Sequence, residues 1–501
     1  MENKSPAFNS VIVLTITMLL VKILSAIYRV PYQNVLGDTG LYAYQQVYPI
    51  IAIVSVLSLN AIPSVISQAY YQQTFLKQLY QRITLLSLCI LLMLIIFSEQ
   101  LARLMGDVML SEMIRISSLV LLPFPTVAMI RGKLQLNHEM KQIAYSQVID
   151  QVLRVGTILI AIILFVWLDL NVYQSGAISI LGSFIGLSGA YGYLVLNHKK
   201  KQVHYPGNNK GNYRNFIMLI IFYSLSYLIM ILWQLVDSFT VINQLKSLMS
   251  LADAREQKGI YDRGASLIQM GLIVTTSFSL VLIPLLSECI QKNESIKMNS
   301  YANSALKITV VFSSAAAIGL MNLIRPFNMF LFKSVEGFDA LFIYMLAIIF
   351  VSFIIMYTAM LQIFEDYKIQ LLGIGLGILV KIILNLLLVS NWGIKGASIA
   401  SVTGLLVYTA ILHKGIVRRY EIAFRSFLLK WNATLGVMTL LIQCVLLIGF
   451  TTRTGALCLS LLGVTVGVCV VICAMIKWKI ITPDEWGHLP FGGVMNKLMK
   501  E

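Results

Sequence analysis

The chain has 501 residues, of which 58% are hydrophobic and 12% are charged, and its formal net charge is +16. The hydrophobic residues lie in about fourteen continuous runs that cover nearly the whole sequence. A bilayer core of ~30 Å requires about 20 apolar residues per spanning helix. This composition excludes a soluble protein and leaves no room for a sizeable soluble domain, so the function must lie within the membrane.

The runs predict an all-α integral membrane protein with about fourteen transmembrane helices. Helices are favoured over a β-barrel because the runs are continuous and do not alternate. The first run lacks a small-residue cleavage site, which indicates a first span and not a removed signal peptide. In chain order the predicted spans lie near residues 8–30, 42–70, 80–98, 112–130, 144–167, 175–197, 215–243, 264–290, 302–323, 338–363, 370–389, 396–413, 430–450 and 455–477.

The positive charges are distributed unevenly between the two predicted sides of the membrane. With the N-terminus placed in the cytoplasm, 23 of the 38 Lys and Arg residues fall in cytoplasmic loops and tails and 10 in outer loops. This bias predicts that both termini are cytoplasmic. It also accounts for the net charge without a nucleic-acid partner, and it predicts that the basic loops contact anionic membrane lipids.

The sequence repeats itself weakly at an offset near 220 residues. Gly40-Leu41-Tyr42 before span 2 recurs as Gly259-Ile260-Tyr261 before span 8, and two further matches occur in the same order. Six spans separate equivalent positions, so both copies have the same orientation and form a parallel repeat. The repeat predicts four parts, which are an N-terminal lobe of spans 1–6 (1–197), a basic cytoplasmic linker (198–214), a C-terminal lobe of spans 7–12 (215–418), and spans 13–14 with a cytoplasmic tail (419–501).

Two six-helix lobes suit alternating access, in which one lobe rocks against the other around a site near the membrane midplane. Pro63 in span 2 and Pro284 in span 8 occupy matching places in the repeat. Because proline interrupts helical hydrogen bonding, both residues are predicted hinge positions. The alternative is a static kink that packing stabilises.

Several charged residues lie inside the predicted spans, where each costs a few kcal/mol and must face protein or water. They suggest two cation–carboxylate pairs, Lys22 with Asp150 and Asp237 with Lys381. Asp150 and Arg154 have the i,i+4 spacing of an ion pair, and Asn385 follows Lys381 by one helical turn. The alternative is that these pairs only neutralise one another and hold the helices together.

Arg29 and Arg263 remain at matching outer ends of the predicted interface between the lobes. A guanidinium in a cavity binds planar oxyanions and phosphate with two parallel hydrogen bonds. Together with Lys22, these arginines predict a site for a phosphorylated substrate. Either arginine could instead extend to the membrane surface.

The sequence contains no motif that predicts an enzyme. It has no phosphate-binding Walker motif, no His-Glu-x-x-His and no pair of catalytic carboxylates in a loop. We therefore expect no catalytic residue, no metal and no cofactor, and transport would be driven by gradients.

Several of these stretches together resemble the polysaccharide biosynthesis exporters of Gram-positive bacteria. This family contains the stage V sporulation protein B and MurJ-type lipid II flippases, within the multidrug, oligosaccharidyl-lipid and polysaccharide exporter superfamily. The resemblance runs from span 1 to span 12. It is carried by Lys22-Ile-Leu-Ser-Ala-Ile-Tyr-Arg29, Ser146-Gln-Val-Ile-Asp-Gln-Val-Leu-Arg-Val155, Gln234-Leu-Val-Asp-Ser-Phe-Thr240, Gly259-Ile-Tyr-Asp-Arg-Gly264 and Lys381-Ile-Ile-Leu-Asn385.

The resemblance implies a plasma-membrane flippase that exports an undecaprenyl-pyrophosphate-linked saccharide, such as lipid II or another cell-wall or capsular precursor. Arg29 and Arg263 match the family's cavity arginines of helices 1 and 8. Asp237 matches a helix 7 acid that helps to bind sodium in some relatives. Here Lys381 stands at that level, which suggests that an ammonium group replaces the ion. Partners among cell-wall synthesis proteins are also implied.

Three other interpretations remain open at this point. A multidrug or cation antiporter of the same superfamily would need an acidic cavity, whereas the spans hold five Lys or Arg and two Asp. A non-transporting membrane scaffold would not need charges within its spans. A membrane glycosyltransferase would need catalytic acids in a sizeable outer loop.

Overall fold

The computed structural model describes most of the chain as helix. The described residues are 24, 28–69, 72–197, 212–273, 275–276, 286, 288–290, 292, 294–364, 367–421 and 427–478. No strand occurs among these residues. The predicted all-α class is therefore confirmed. The chain divides into two compact units, Met1–Asp262 and Arg263–Glu501.

The first unit contains the helices that precede Asp262, together with the first half of the helix in which the division falls. These helices are α1 (Arg29–Val56), α2 (Ile62–Ala69), α3 (Gln73–Ile96), α4 (Ser98–Leu104), α5 (Ser111–Ser118), α6 (Phe124–Leu136), α7 (Met140–Trp167), α8 (Val172–Asn197), α9 (Tyr213–Leu245) and α10 (Leu251–Gly271). A π-helical turn, Leu57–Ala61, connects α1 to α2.

The second unit contains the end of α10 and the helices that follow it. These helices are α11 (Ser295–Phe332), α12 (Phe338–Tyr344), α13 (Ala347–Gln362), α14 (Tyr367–Leu384), α15 (Ser390–Val417), α16 (Leu428–Leu446) and α17 (Arg453–Lys477). A second π-helical turn, Asn385–Val389, connects α14 to α15.

The described helices match the predicted spans 2–7 and 9–14. Ten of them are long and apolar enough to cross a membrane, or eleven if the bent pair Val108–Leu121 and Phe124–Leu136 forms one span. Predicted spans 1 and 8 lie largely outside the described residues. A multi-pass membrane fold is therefore confirmed, whereas the count of fourteen is not.

Two glycines make tight turns between consecutive spans. Gly37 in α1 has φ 72° and Gly393 in α15 has φ 56°, and helix continues on both sides of each. Only glycine adopts such angles without steric cost. The described helix before Gly37 thus reaches Leu36, past the predicted end of span 1 near residue 30. Hydropathy misses this last stretch because it contains polar side chains such as Gln33, which donates to Asp38 Oδ1 at 3.1 Å.

Predicted spans 13 and 14, which are α16 and α17, pack on α11 within the second unit. Trp431 Nε1 donates to Ser314 Oγ at 2.8 Å, and Gln443 Nε2 donates to Asn322 Oδ1 at 2.7 Å. Arg453 Nε donates to the carbonyl of Phe330 at 2.8 Å. Hydrogen bonds between helices of a membrane protein orient the helices that they join. These two C-terminal helices are therefore firmly attached to α11.

The two compact units do not coincide with the predicted lobes. The chain divides within α10, whereas the predicted lobes meet in the linker 198–214. In the first unit α9, which is predicted span 7, packs on α1 and on the turn Leu57–Ala61. The four-part division of the chain remains a prediction.

Candidate functional site

Arg29 lies in the first turn of α1 and is surrounded by tyrosines. Its side chain is 1% exposed, and its guanidinium carbon lies 5.4 Å from the centre of the Tyr48 ring. Tyr28 and Tyr44 are also among its electrostatic neighbours, and their hydroxyls are 3.1 Å apart. Cation–π contacts of this kind stabilise a buried guanidinium. The sequence pattern indicates the arginine as a site residue but not the tyrosines.

Asp150 and Arg154 form the ion pair that their spacing in α7 suggests. Arg154 Nη2 lies 3.2 Å from Asp150 Oδ1, and both side chains are nearly buried. The backbone of α8 approaches closely at this level, because a Cβ on Gly186 would lie 2.4 Å from the Asp150 carbonyl oxygen. Tyr44 and Tyr48 are electrostatic neighbours of Arg154 as well as of Arg29. The ion pair and the Arg29 cluster are thus parts of one polar region.

Arg131 in α6 belongs to the same region. Its Nε donates to Ser146 Oγ at 3.1 Å, and its Nη1 donates to Ser58 Oγ at 3.4 Å. Asp150 and Arg154 are its electrostatic neighbours. Arg131 follows the predicted end of span 4, so the sequence indicates no role for it, but the helix continues past it to Leu136.

Asp237 in α9 accepts a hydrogen bond from the hydroxyl of Tyr261 at 3.0 Å. Next to it in α10, Lys258 and Asp262 form a buried ion pair with Nζ and Oδ1 2.5 Å apart. Burial raises the pKa of Asp262 above its usual range, and the charge of Lys258 opposes this shift. Both residues precede the predicted start of span 8 and have no role in the sequence-based predictions, although their i,i+4 spacing indicates a helical pair.

Asp107 links distant parts of the first unit through a network of hydrogen bonds. It accepts from the hydroxyls of Tyr42 at 3.2 Å and Tyr173 at 2.6 Å. Arg255 Nε and Nη2 donate to its two carboxylate oxygens at 2.9 and 2.8 Å. The Asp107 carboxylate is 1% exposed. This network connects the start of predicted span 2, the loop before span 4, the start of span 6 and α10.

Arg263 lies in the second unit and is oriented by an asparagine that the sequence analysis missed. Its Nη1 donates to Asn328 Oδ1 at 3.0 Å, and Asn328 Nδ2 donates to the carbonyl of Glu336 at 2.7 Å. The guanidinium carbon lies 5.5 Å from the centre of the Phe332 ring, and the side chain is 1% exposed. Arg263 is thus held in one orientation by α11.

The remaining predicted residues are placed as follows. Lys381 and Asn385 are fully buried one turn apart in the second unit, and Asn385 begins the π-helical turn. Asp237 belongs to the first unit, and its pairing with Lys381 stays a prediction. Pro63 is buried in the first turn of α2, next to the π-helical turn, and its role as a hinge also stays a prediction. Lys22 and Pro284 lie outside the described residues.

Among the residues that the structure describes, no group of three or more His, Cys, Asp or Glu could hold a metal ion. The chemistry available in the described region is that of buried guanidinium, carboxylate and phenol groups. Such a region holds charged groups away from water, where they can bind one another or a charged ligand.

Sequence comparison shows related proteins over most of the chain. The family described as "Polysaccharide biosynthesis protein" matches residues 7–290. The uncharacterized membrane protein YabM of Bacillus subtilis (strain 168) is 31% identical over 514 residues, which cover 97% of this chain and 96% of YabM. Lipid II flippase MurJ of the same organism is 25% identical over 361 residues, with 66% of each chain covered.

Structure comparison shows the same fold in solved transporters. The structure of lipid II flippase MurJ in an inward closed conformation aligns with a TM-score of 0.72 at 16% identity, over 93% of this chain and 98% of that chain. An inward-facing multidrug resistance MATE family transporter aligns with a TM-score of 0.60 at 16% identity, over 82% and 98%. At these identities the likeness is one of fold.

Proposed function

Because the chain belongs to the polysaccharide biosynthesis protein family, we propose that it is a flippase for an undecaprenyl-pyrophosphate-linked saccharide. Family membership confirms the resemblance noted in the sequence and makes the chain a multi-pass membrane exporter. The substrate, its outward direction across the plasma membrane and the cytoplasmic position of both termini belong to the proposal. Lipid II or another cell-wall or capsular precursor would be moved by alternating access.

The observation that carries the proposal is the burial of guanidinium groups in or next to the predicted membrane spans. Arg29 and Arg263 are each 1% exposed, and each is oriented by a neighbouring side chain or ring. Charges in spans are costly and mark substrate pathways. A guanidinium that is already oriented loses little entropy when it binds, and its planar fork matches a pyrophosphate. An acidic cavity, which a cationic drug would need, is not supported by these residues.

The coupling of transport is proposed to involve Asp237. Tyr261 donates to its carboxylate, and Lys258 and Asp262 stand beside it as a neutral pair. Under this proposal Lys381 supplies the positive charge that sodium supplies in some relatives, with Asn385 as a further polar group. The wild-type protein would then export its substrate without sodium.

The polyprenyl tail is proposed to lie along α16 and α17. Hydrogen bonds help to anchor them to α11, whereas apolar side chains such as Leu440, Leu461 and Val468 are exposed on them. A long apolar tail would remain in contact with lipid there while the headgroup crosses. Photocrosslinking with a prenyl-phosphate analogue should label these two helices, and labelling confined to the two predicted lobes would contradict the idea.

The proposal can be tested in cells by depletion and complementation. Depletion of the protein should cause one lipid-linked precursor to accumulate on the cytoplasmic side. Arg29→Ala or Arg263→Ala should fail to clear it, and Arg→Lys should restore little because a point charge does not replace the fork. Arg103→Ala is a matched control, since Arg103 is an exposed arginine of the first unit. Full clearance by both Arg29→Ala and Arg263→Ala would refute the assignment of the site.

A further inference from the structure

Arg131 is a buried arginine whose hydrogen-bonding capacity is only partly used. Its Nε and Nη1 donate to the hydroxyls of Ser146 and Ser58. Both serines already donate their own protons to backbone carbonyls, of Ile143 and Ser55. They therefore act as acceptors and bring no negative charge. Arg131 Nη2 is buried and has no hydrogen-bond partner among the described residues.

Arg154 is in a similar position one helix away. Its Nη2 pairs with Asp150, whereas its Nε is buried without a hydrogen-bond partner in the part of the chain that the structure describes. Arg131 has both Asp150 and Arg154 as electrostatic neighbours. Asp150 is thus the one carboxylate near the two guanidinium groups in the part of the chain that the structure describes, so their positive charges exceed its negative charge by one. No second carboxylate contacts this pair among the described residues.

A buried charge requires a counter-charge as well as hydrogen-bond acceptors. A water molecule could accept from Arg131 Nη2 and Arg154 Nε but would not supply the charge. A neutral or cationic ligand would leave the excess unchanged. An oxyanion supplies both, and guanidinium groups bind the oxygens of phosphate with short, charge-assisted hydrogen bonds.

We infer that Arg131 and Arg154 form an oxyanion-binding position that takes a phosphate or diphosphate group, with Asp150 orienting Arg154. Ser58 and Ser146 hold Arg131 in place. The anion is either a free inorganic phosphate compound or the headgroup of a prenyl diphosphate lipid. The chemistry is the same in both cases, and the source is distinguished by experiment.

The position is connected to the Arg29 cluster within the first unit. Tyr28, Tyr44 and Tyr48 are electrostatic neighbours of both Arg154 and Arg29. The cationic groups therefore form a series, from Arg29 through Arg154 to Arg131. If the proposed function holds, on which this part of the inference rests, the series provides a second station for the diphosphate during its passage.

The test measures binding to the full-length chain purified in detergent. Three probes are used, which are inorganic pyrophosphate, undecaprenyl diphosphate and undecaprenol. Variants are Arg131→Gln and Arg154→Gln, which keep some hydrogen bonding and remove the charge, and Arg131→Lys, which keeps the charge without the fork. Arg103→Gln is the control, because this arginine lies at the surface of the same unit.

The inference predicts that the wild type binds at least one of the two diphosphates and not undecaprenol. Arg131→Gln and Arg154→Gln should each weaken that binding at least tenfold, and Arg131→Lys should weaken it by an intermediate factor. The double variant should be hardly worse than either single one. Binding of inorganic pyrophosphate indicates a general oxyanion site, and binding of undecaprenyl diphosphate alone indicates a lipid substrate. Thermal unfolding of each variant without ligand identifies any loss of binding that comes from misfolding. If Arg131→Gln does not fold, the binding measured for Arg154→Gln decides the test.

Wild-type affinity in both glutamine variants, or no diphosphate binding by the wild type, would overturn the inference. The measurements distinguish failure of this inference from failure of the proposed function. If Arg29→Gln abolishes lipid diphosphate binding while Arg131→Gln and Arg154→Gln bind normally, the inference is wrong and the function stands. If both glutamine variants lose binding but the protein moves no lipid-linked saccharide, the site stands and the function is wrong.

Discussion

Removal of the Arg255 guanidinium should destabilise the first unit through Asp107. The two charge-assisted hydrogen bonds between them are 2.9 and 2.8 Å long, and they end on a carboxylate that is 1% exposed. Breaking a fully buried ion pair costs about 3–5 kcal/mol, whereas an exposed pair contributes about 0–1 kcal/mol. The Arg255 side chain is 19% exposed, and two tyrosines continue to donate to Asp107. We therefore expect a loss of about 2 kcal/mol, or roughly 30-fold in the unfolding equilibrium.

The assay is a double-mutant cycle with Arg255→Gln and Asp107→Asn, followed by unfolding of the purified protein in mixed micelles. The two single variants should each be destabilised, and the double variant should be less destabilised than the sum because the pair is removed together. Hydrogen exchange should be faster at the amide of Met109, which donates to Asp107 Oδ1 at 3.1 Å. A coupling energy below about 0.5 kcal/mol with unchanged exchange would refute the role of this network.

Three further predictions concern single contacts. Gly259→Ala should lower stability by about 1–3 kcal/mol, because its Cβ would lie 2.0 Å from the Asp38 carbonyl oxygen. Gly192→Ala, with open space around it, should not lower stability in the same thermal unfolding assay. Asn328→Ala should reduce export about tenfold by releasing Arg263, whereas Asn303→Ala on the same helix should not. An Asn328→Ala variant that exports as fast as the wild type would show that Arg263 does not need Asn328 to orient it. Lys381→Ala should impair export more than the double variant Asp237→Ala/Lys381→Ala, since the single change leaves Asp237 without its proposed counter-charge. Added sodium should partly restore export by the single variant. A strict sodium requirement of the wild type would show that the proposed pair is wrong.

The helical framework could be predicted because its signal is local. Continuous apolar runs give a helix at predicted spans 2–7 and 9–14, since a bilayer requires every backbone group to be satisfied within the segment. The contact between Asp150 and Arg154 could likewise be predicted, because residues four positions apart lie one turn apart on the same face of a helix. The end of the first span was placed too early, because the polar residues before Gly37 are buried by protein and not by lipid.

Much of the polar region could not be predicted because its contacts join residues far apart in the chain. Asp107 and Arg255 are 148 positions apart, and each lies in a segment between two predicted spans. Arg131 meets Ser58 from 73 positions away. Nothing in the local pattern distinguishes these residues from surface charges, and only the tertiary packing of segments distant in the chain makes them buried neighbours.

The most direct test of the proposed function is a transport measurement with the purified full-length protein in liposomes. A fluorescent undecaprenyl-diphosphate saccharide is incorporated, and a membrane-impermeant reductant reports how much headgroup has crossed. We predict that the wild type moves the lipid, that Arg103→Ala does so equally, and that Arg29→Ala and Arg263→Ala do not. Movement no faster than in protein-free liposomes, or movement at the wild-type rate by both Arg29→Ala and Arg263→Ala, would contradict the proposal.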